Sequence, residues 1–313
     1  MIKDRVDILL SVYNPNIEYL KKQLISVNKQ TYKSIKLYIF DDCVDKRCDK
    51  EIFKTYITNF EYEFLDYEEK NLGYLLAFEK LLKKSEGEYI AFCDQDDIWR
   101  EDKLDVSIQY MNEHDNLLVV SDRTLIDEND VVFCESVRKS SNKNYDTWKT
   151  GDDITKYNLI ICYAVGMTIV ARGEFARSTI PFSRYTGHDK WILACASSEG
   201  SVGYIEDTLV QYRRHGHNVS GVLSGINSKQ DYINNRVVNT LNIVKDFEKK
   251  YPNHKDLKEI YDFCHARMNG NVLKLIKYRY IAPDVTKFDI VISLVPSFLF
   301  VPMMKMARKI STK

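Results

Sequence analysis

Short apolar runs alternate with helix-like repeats over the first hundred residues. The runs 6–12, 35–39 and 89–93 read as three buried strands. Between them, apolar residues recur at helical spacing, at Ile17, Leu20, Leu24 and Val27 and again at Leu72, Leu75, Leu76 and Leu82. Strands that alternate with helices predict an α/β fold with a mostly parallel sheet and helices on both faces.

The pattern changes further along the chain. We expect strands at 117–120, 131–133, 166–170 and 208–212, and a helix that begins at His188. We interpret the polar stretch 135–153 as a mobile loop. After Gly225 only helical periodicity remains, with one helix through 233–247 and another through 256–277. We therefore predict a first domain over residues 1–222 and a helical C-terminal region over 223–313.

Composition and charge narrow the class of protein. The 313 residues are 44% hydrophobic, and 45 basic residues balance 45 acidic ones, which argues against a chain built mainly to bind nucleic acid. Seven cysteines without a CxxC pair suggest a reducing compartment. Charged residues precede the first apolar run, so we expect no signal peptide.

The C-terminal tail differs from this average. Residues 267–313 contain nine basic residues and two acidic ones, and residues 290–304 carry no charge. A membrane span needs about 20 residues. We therefore favour a peripheral segment on an anionic membrane surface. A core helix and a short span remain alternatives.

Polar side chains follow the first three predicted strands. They are Ser11 and Tyr13, then Asp41 and Asp42, then Asp94, Asp96 and Asp97. In parallel sheets, ligands bind at the carboxyl ends of the strands. Two carboxylates in the pattern Asp94-Gln95-Asp96 suit a divalent cation that carries nucleotide phosphates, although isolated acidic pairs are common in loops.

With these residues in view, the chain resembles family 2 inverting glycosyltransferases, which have the Rossmann-like GT-A fold. The resemblance covers about residues 5–220. Its motifs are Ser11-Val12-Tyr13-Asn14, Phe40-Asp41-Asp42, Asn71-Leu72-Gly73, Phe92-Cys93-Asp94-Gln95-Asp96-Asp97-Ile98-Trp99, Gly187-His188-Asp189 and Gln211-Tyr212-Arg213-Arg214-His215-Gly216. The form Asp-Gln-Asp-Asp-Ile-Trp is similar to a bacterial subgroup that includes rhamnosyltransferases.

The resemblance implies roles in holding a nucleotide-sugar donor. Asp42 would hold the base or ribose, with Ser11 and Tyr13 lining the same cleft. Asp94 would reach the ribose or the metal, and Arg213 would act as a fixed cation on the diphosphate. A solvent-facing basic loop is the alternative for both Arg213 and His215.

The resemblance also implies a metal and a base. Asp96 would bind Mg²⁺ or Mn²⁺, and His215 would complete the metal or diphosphate site. Asp189 would accept the proton of the acceptor hydroxyl, although Asp is also a favoured helix cap. His188 would orient Asp189 or the acceptor, and Trp99 would either stack on a sugar or pack under the metal loop.

The implied function is transfer of one sugar from a UDP- or TDP-linked donor to a glycan or lipid-linked acceptor in bacterial surface polysaccharide synthesis. The enzyme would act as a peripheral protein at the cytoplasmic face of the cell membrane. A metal-dependent phosphohydrolase, a nucleotidyltransferase and a non-catalytic membrane-associated partner are the alternatives.

Overall fold

A nine-stranded sheet runs through the computed structural model of the protein, which describes residues 1–216, 226–296, 298–302 and 304. The strand order is β3-β2-β1-β4-β8-β6-β9-β5, and β7 pairs with β6. The strands are β1 Ile2–Val12, β2 Ile35–Asp41, β3 Glu61–Phe64, β4 Gly87–Cys93, β5 Ile98–Trp99, β6 Leu118–Ile126, β7 Val132–Cys134, β8 Ile169–Arg172 and β9 Val202–Arg213.

Helices lie between these strands in the chain and follow the last of them. They are α1 Ile17–Asn28, α2 Glu51–Tyr56, α3 Tyr74–Lys84, α4 Lys103–Glu113, α5 Val137–Ser140, α6 Asn144–Thr147, α7 Thr155–Ile160, α8 Gly173–Ser178, α9 His188–Glu199, α10 Lys229–Tyr232, α11 Asn239–Lys250, α12 Leu257–Met268, α13 Val272–Lys277 and α14 Pro283–Leu294. A π-helical turn, Ile233–Val238, joins α10 to α11.

The first four strands are parallel, as their alternation with helices predicts. β1 pairs in parallel with both β2 and β4, and β2 pairs in parallel with β3. Residue Val12 stands opposite Asp41, and Leu10 stands opposite Cys93, so the chain leaves all three strands at one edge. This register gathers the polar residues that follow β1, β2 and β4.

Beyond β4 the sheet is mixed. β8 runs antiparallel to β4 and to β6, whereas β6 and β9 are parallel to each other. The carboxyl end of β9, at Arg213, lies beside Ile126 at the end of β6. The mostly parallel pattern therefore applies to the first half of the sheet.

Three details differ from the sequence prediction. The strand predicted over 166–170 begins only at Ile169, because Gly166–Thr168 form a 3₁₀ helix. The polar stretch 135–153 contains α5 and α6 and a buried Trp148, whose indole N–H donates to the carbonyl of Tyr163 at 3.1 Å. The helix predicted over 256–277 is two helices, because Gly270 adopts a left-handed φ of 58° between them. That conformation ends an α-helix and favours glycine.

The chain divides into two compact units. One comprises residues 1–155, 162–182 and 187–215, and the other comprises 156–161, 183–186 and 216–313. The second unit thus includes two short segments that the prediction assigned to the first domain. The predicted boundary after residue 222 lies outside the described residues and stays a prediction.

The second unit is helical and has its own apolar cluster. This cluster contains Ile226, Tyr232, Val237, Ile292, Phe300 and Met304. Arg267 and Asp289 form a buried ion pair of 2.7 Å beside it. Among the described residues, no helix is long and apolar enough to cross a membrane.

Candidate active site

An acidic loop, residues 94–97, follows β4 and is tied to the end of β1 by Gln95. The amide oxygen of Gln95 accepts from the Tyr13 main-chain N–H at 2.8 Å, and its amide nitrogen donates to the Tyr13 carbonyl at 3.1 Å. Sequence reasoning missed this role for Gln95. The position of Gln95 between two aspartates next to a predicted strand end was the available signal.

The end of β9 brings a histidine to the acidic loop. His215 Nε2 lies 2.7 Å from Asp96 Oδ2. The Tyr19 ring flanks the imidazole, with 5.6 Å between the ring centroids. The two residues expected to bind a metal are therefore neighbours, on chain segments far apart in sequence.

Arg213 is enclosed beneath the acidic loop. Its guanidinium donates to the carbonyls of Asp96 at 2.9 Å and Asp127 at 3.0 Å, and pairs with Asp130 at 2.5 Å. Its main-chain N–H donates to Asp97 at 3.0 Å. The side chain is fully buried. These contacts hold Arg213 to the acidic loop and the 127–130 turn, and its contact with a diphosphate stays a prediction.

Like charges crowd the acidic loop. Burial, followed by the charges of Asp96 and Asp189, raises the pKa of Asp94 to about 7. The pKa of Asp97 is also raised, mainly by burial. Since a pKa raised by neighbouring carboxylates reports unfavourable charge, a bound cation would relieve it.

Lys103, in the first turn of α4, supplies a buried positive charge behind the loop. Its ammonium group donates to the Met167 carbonyl at 2.7 Å and lies 3.3 Å from the centroid of the Trp99 ring. Burial lowers the pKa of Lys103 to about 7. Trp99 is itself buried, which favours packing under the loop over stacking on a sugar.

Asp42 holds the turn that begins α3. Its two carboxylate oxygens accept the main-chain N–H groups of Leu72 and Gly73, each at 2.7 Å. Gly73 adopts a φ of 77°, a conformation that favours glycine. Because both oxygens already have partners and the residue is buried, contact of Asp42 with a nucleotide stays a prediction.

The other donor-cleft candidates differ in exposure. Ser11 is partly buried near the end of β1, while Tyr13 has 55% of its surface exposed just beyond it. Asp41 accepts from the main-chain N–H groups of Cys43 and Cys48. Ser11 and Tyr13 thus lie at the edge where the acidic loop lies, and their contact with a donor stays a prediction.

Asp189 lies in the first turn of α9, partly exposed. Its Oδ1 accepts from the main-chain N–H of Lys190 at 2.7 Å. Its charge contributes to the raised pKa of Asp94, so Asp189 lies within electrostatic range of the acidic loop. Its role as the base stays a prediction.

His188 does not orient Asp189 through a hydrogen bond. Its ring lies 4.2 Å from the Phe78 ring and 4.8 Å from the Phe92 ring, measured between centroids. Neither ring nitrogen bonds to any residue that the structure describes. Burial lowers the pKa of His188 to about 4. The imidazole is therefore a neutral packing group at neutral pH.

Asp96 and His215 fit a divalent cation as part of its coordination. Carboxylate and imidazole ligands both bind such ions. Within the described residues, no three His, Cys, Asp or Glu side chains surround one point as a complete metal site. The remaining ligands would be oxygens of a bound diphosphate or water, as for Mg²⁺ that carries phosphates.

Comparison with known proteins decides the family. The family model described as Glycosyl transferase family 2 matches residues 7–172, from β1 through β8. The chain belongs to this family. The matched region contains the acidic loop, whereas Asp189, Arg213 and His215 follow it.

Curated relatives of this family 2 glycosyltransferase match about two thirds of its chain. It is 25% identical over 219 residues to the Bacillus subtilis protein named "Putative teichuronic acid biosynthesis glycosyltransferase TuaG", a match that covers 70% of this chain and 82% of that protein. It is 27% identical over 215 residues to an uncharacterized glycosyltransferase of Methanocaldococcus jannaschii, which covers 68% of this chain and 72% of that one.

Solved structures show the fold of this glycosyltransferase. It is similar to S. aureus TarS in complex with UDP-GlcNAc, with a TM-score of 0.58 and 16% identity over 90% of this chain and 82% of that one. The TarS complex with UDP gives a TM-score of 0.58 and 18% identity over 97% and 87% of the two chains. The fold is the α/β GT-A fold, with additional C-terminal helices.

Proposed function

We propose that this glycosyltransferase moves one sugar, with inversion, from a UDP- or TDP-linked donor to a hydroxyl of a glycan or lipid-linked acceptor. The observation that carries the proposal is the 2.7 Å contact between Asp96 and His215 at the edge shared with Asp94 and Asp189. Solved structures of similar fold contain UDP or UDP-GlcNAc, which favours a uridine donor. A hexosyl or rhamnosyl donor fits the family equally.

Asp96 and His215 would hold Mg²⁺ or Mn²⁺, and Asp94 would contact the ion or the ribose. Such an ion, when bound, neutralises charge that develops on the leaving nucleoside diphosphate. Gln95 and Arg213 keep the acidic loop in register with the end of β1 and the 127–130 turn through the contacts above. Ser11, Tyr13 and Asp42 would line the nucleotide cleft.

Asp189 would take the proton of the acceptor hydroxyl as that oxygen attacks the anomeric carbon. A general base must lie within hydrogen-bonding reach of the proton that it removes. Asp189 is partly exposed and close to Asp94, so an acceptor bound at this edge could reach it. Attack on the face opposite the departing diphosphate inverts the anomeric configuration.

The donor proposal is tested by thermal shift. UDP and TDP sugars should raise the melting temperature with Mn²⁺ present, because a ligand that binds only the folded state stabilises it. Asp96→Ala should remove the metal-dependent part of the shift. A wild-type shift that does not depend on Mn²⁺ would contradict the metal assignment.

We also propose that the enzyme works at the cytoplasmic face of the membrane as a peripheral protein in surface polysaccharide synthesis. In the second unit, Leu273 and Ile276 of α13 have 81% and 47% of their surfaces exposed. Lys274, Lys277 and Arg279 are exposed beside them in the sequence. Apolar and basic side chains together suit an anionic lipid surface. The printed name of TuaG supports the polysaccharide assignment.

Two charged residues of the segment 267–313 do not reach the protein surface. Arg267 and Asp289 neutralise each other in a buried pair, so they contribute no charge to the surface. The net charge of the segment is unchanged by this pairing.

The apolar segment 290–304 is partly buried and partly exposed. Ile292 and Phe300 are buried, while Leu294 and Phe298 have 72% and 76% of their surfaces exposed. The basic residues after 304 lie outside the described residues.

A further inference from the structure

We propose that Gly187 is a positioning residue for the Asp189 carboxylate, which occupies the space that a side chain at residue 187 would fill. A Cβ atom added to Gly187 would lie 2.5 Å from Asp189 Oδ1 and 3.5 Å from its Cγ. Real Cβ atoms essentially never approach an atom so closely. This inference rests on the proposed function, in which Asp189 is the base.

The backbone does not explain a glycine at residue 187. Its φ of −74° and ψ of 158° are extended values that any residue adopts. Glycine is usually required where φ is positive or where another group approaches the backbone closely. Only the second condition applies here, and the approaching group is the carboxylate of Asp189.

Other groups lie near the carboxylate. The Lys190 main-chain N–H donates to Oδ1 at 2.7 Å. The Tyr74 hydroxyl lies 3.7 Å from the position that a Cβ on Gly187 would take, and the Cys162 thiol lies within hydrogen-bonding reach of the carboxylate. Burial and the charge of Asp189 raise the pKa of both groups. Tyr74 and Cys162 are thus protonated at neutral pH.

The start of α9 is fixed by packing next to this space. The His188 ring packs against Phe78 and Phe92, and a Cβ on Gly166 would lie 2.6 Å from His188 Nε2. Because His188 holds the first residue of the helix, the carboxylate cannot easily follow a displaced backbone. A methyl group at residue 187 must therefore rotate the carboxylate away from its present direction.

Gly187→Ala should lower kcat by about 10- to 100-fold, since a misplacement of about 1 Å can cost that much in a catalytic group. The KM for the donor should be unchanged, because residue 187 contacts none of the residues proposed to bind the donor. The melting temperature should fall only slightly, because alanine accepts the backbone angles of residue 187 and the rotated carboxylate gives up the hydrogen bond from the Lys190 N–H. Gly216→Ala, whose added Cβ meets no atom of the described residues within 4 Å, controls for the effect of alanine on stability.

The test is a double-mutant cycle on kcat with Gly187→Ala and Asp189→Asn. If Gly187 acts through the carboxylate, Gly187→Ala lowers kcat in the wild type but not in the Asp189→Asn background. An equal fold-loss in both backgrounds, or a wild-type kcat for Gly187→Ala alone, overturns the proposal while leaving Asp189 as the base. A wild-type kcat for Asp189→Asn overturns the base assignment and this inference together.

Discussion

Asp96 Oδ2 and His215 Nε2 are 2.7 Å apart although 119 residues separate them in sequence. The contact exists because β5, which follows the acidic loop, pairs antiparallel with the end of β9, with Ile98 opposite Gln211. Arg213 also bonds to the carbonyl of Asp96 and to the carboxylate of Asp130. A carboxylate and an imidazole are thereby held together.

Asp96→Ala should lower transfer by orders of magnitude, because it removes one of the two protein ligands proposed for the ion. His215→Ala should lower transfer in the same direction, and excess Mn²⁺ should restore part of its activity. EDTA should inactivate the wild type. His114→Ala, a histidine outside the site, is the control. Full wild-type activity in EDTA would exclude a required metal.

Asp42→Asn should lower the unfolding free energy of the nucleotide-free protein. Asparagine offers one acceptor oxygen where Asp42 now accepts from both Leu72 and Gly73. An unsatisfied buried N–H costs about 1–3 kcal/mol. Urea unfolding of the nucleotide-free protein measures the loss. An unchanged unfolding free energy, combined with weaker UDP binding, would show that Asp42 acts mainly on the nucleotide.

His188→Phe should change the pH dependence of stability. The folded state lowers the pKa of His188 from 6.5 to about 4. Between these values the unfolded chain binds a proton that the folded chain excludes, so the wild type loses up to about 3 kcal/mol as pH falls from 6.5 to 4. The variant lacks this loss. The wild type should therefore lose more unfolding free energy than His188→Phe when the pH falls from 7.5 to 5. The same difference between the two proteins at both pH values would contradict a buried neutral imidazole.

Leu273→Asp should weaken binding to anionic vesicles. Leu273 has 81% of its surface exposed, so the change should leave the fold intact. Co-sedimentation with anionic and neutral liposomes measures it, and Leu273→Ala is the matched control. Deletion after Asp289 is less informative, because it removes Ile292 and Phe300 from a buried cluster. Equal recovery of wild type and variant in the supernatant would reject the membrane surface.

The sequence predicted those parts of the site that local pattern determines. Apolar runs that end in Asp42 and Asp94 fixed the strand ends, and parallel pairing of β1, β2 and β4 brought them to one edge. The sequence also predicted that a helix begins at His188, where α9 begins. In each case, residues close in the chain carry the information.

Contacts between distant segments were not predictable in the same way. Nothing near Arg213 in the chain indicates that Asp130 and two carbonyls would enclose it. The Gly187–Asp189 motif gave a candidate base, but the packing of His188 between Phe78 and Phe92 depends on the fold of α3 and β4. The antiparallel β8 likewise follows from long-range pairing.

The central claim is that Asp189 is the base of an inverting sugar transfer, and single-turnover transfer by the wild type and Asp189→Asn tests it most directly. Asparagine keeps the size and the oxygen that accepts from Lys190, but it cannot take a proton. Transfer should fall by about 10²-fold or more, with UDP affinity unchanged. NMR of the wild-type product should show an inverted anomeric centre. A wild-type rate for Asp189→Asn, or retention of configuration, would contradict the account.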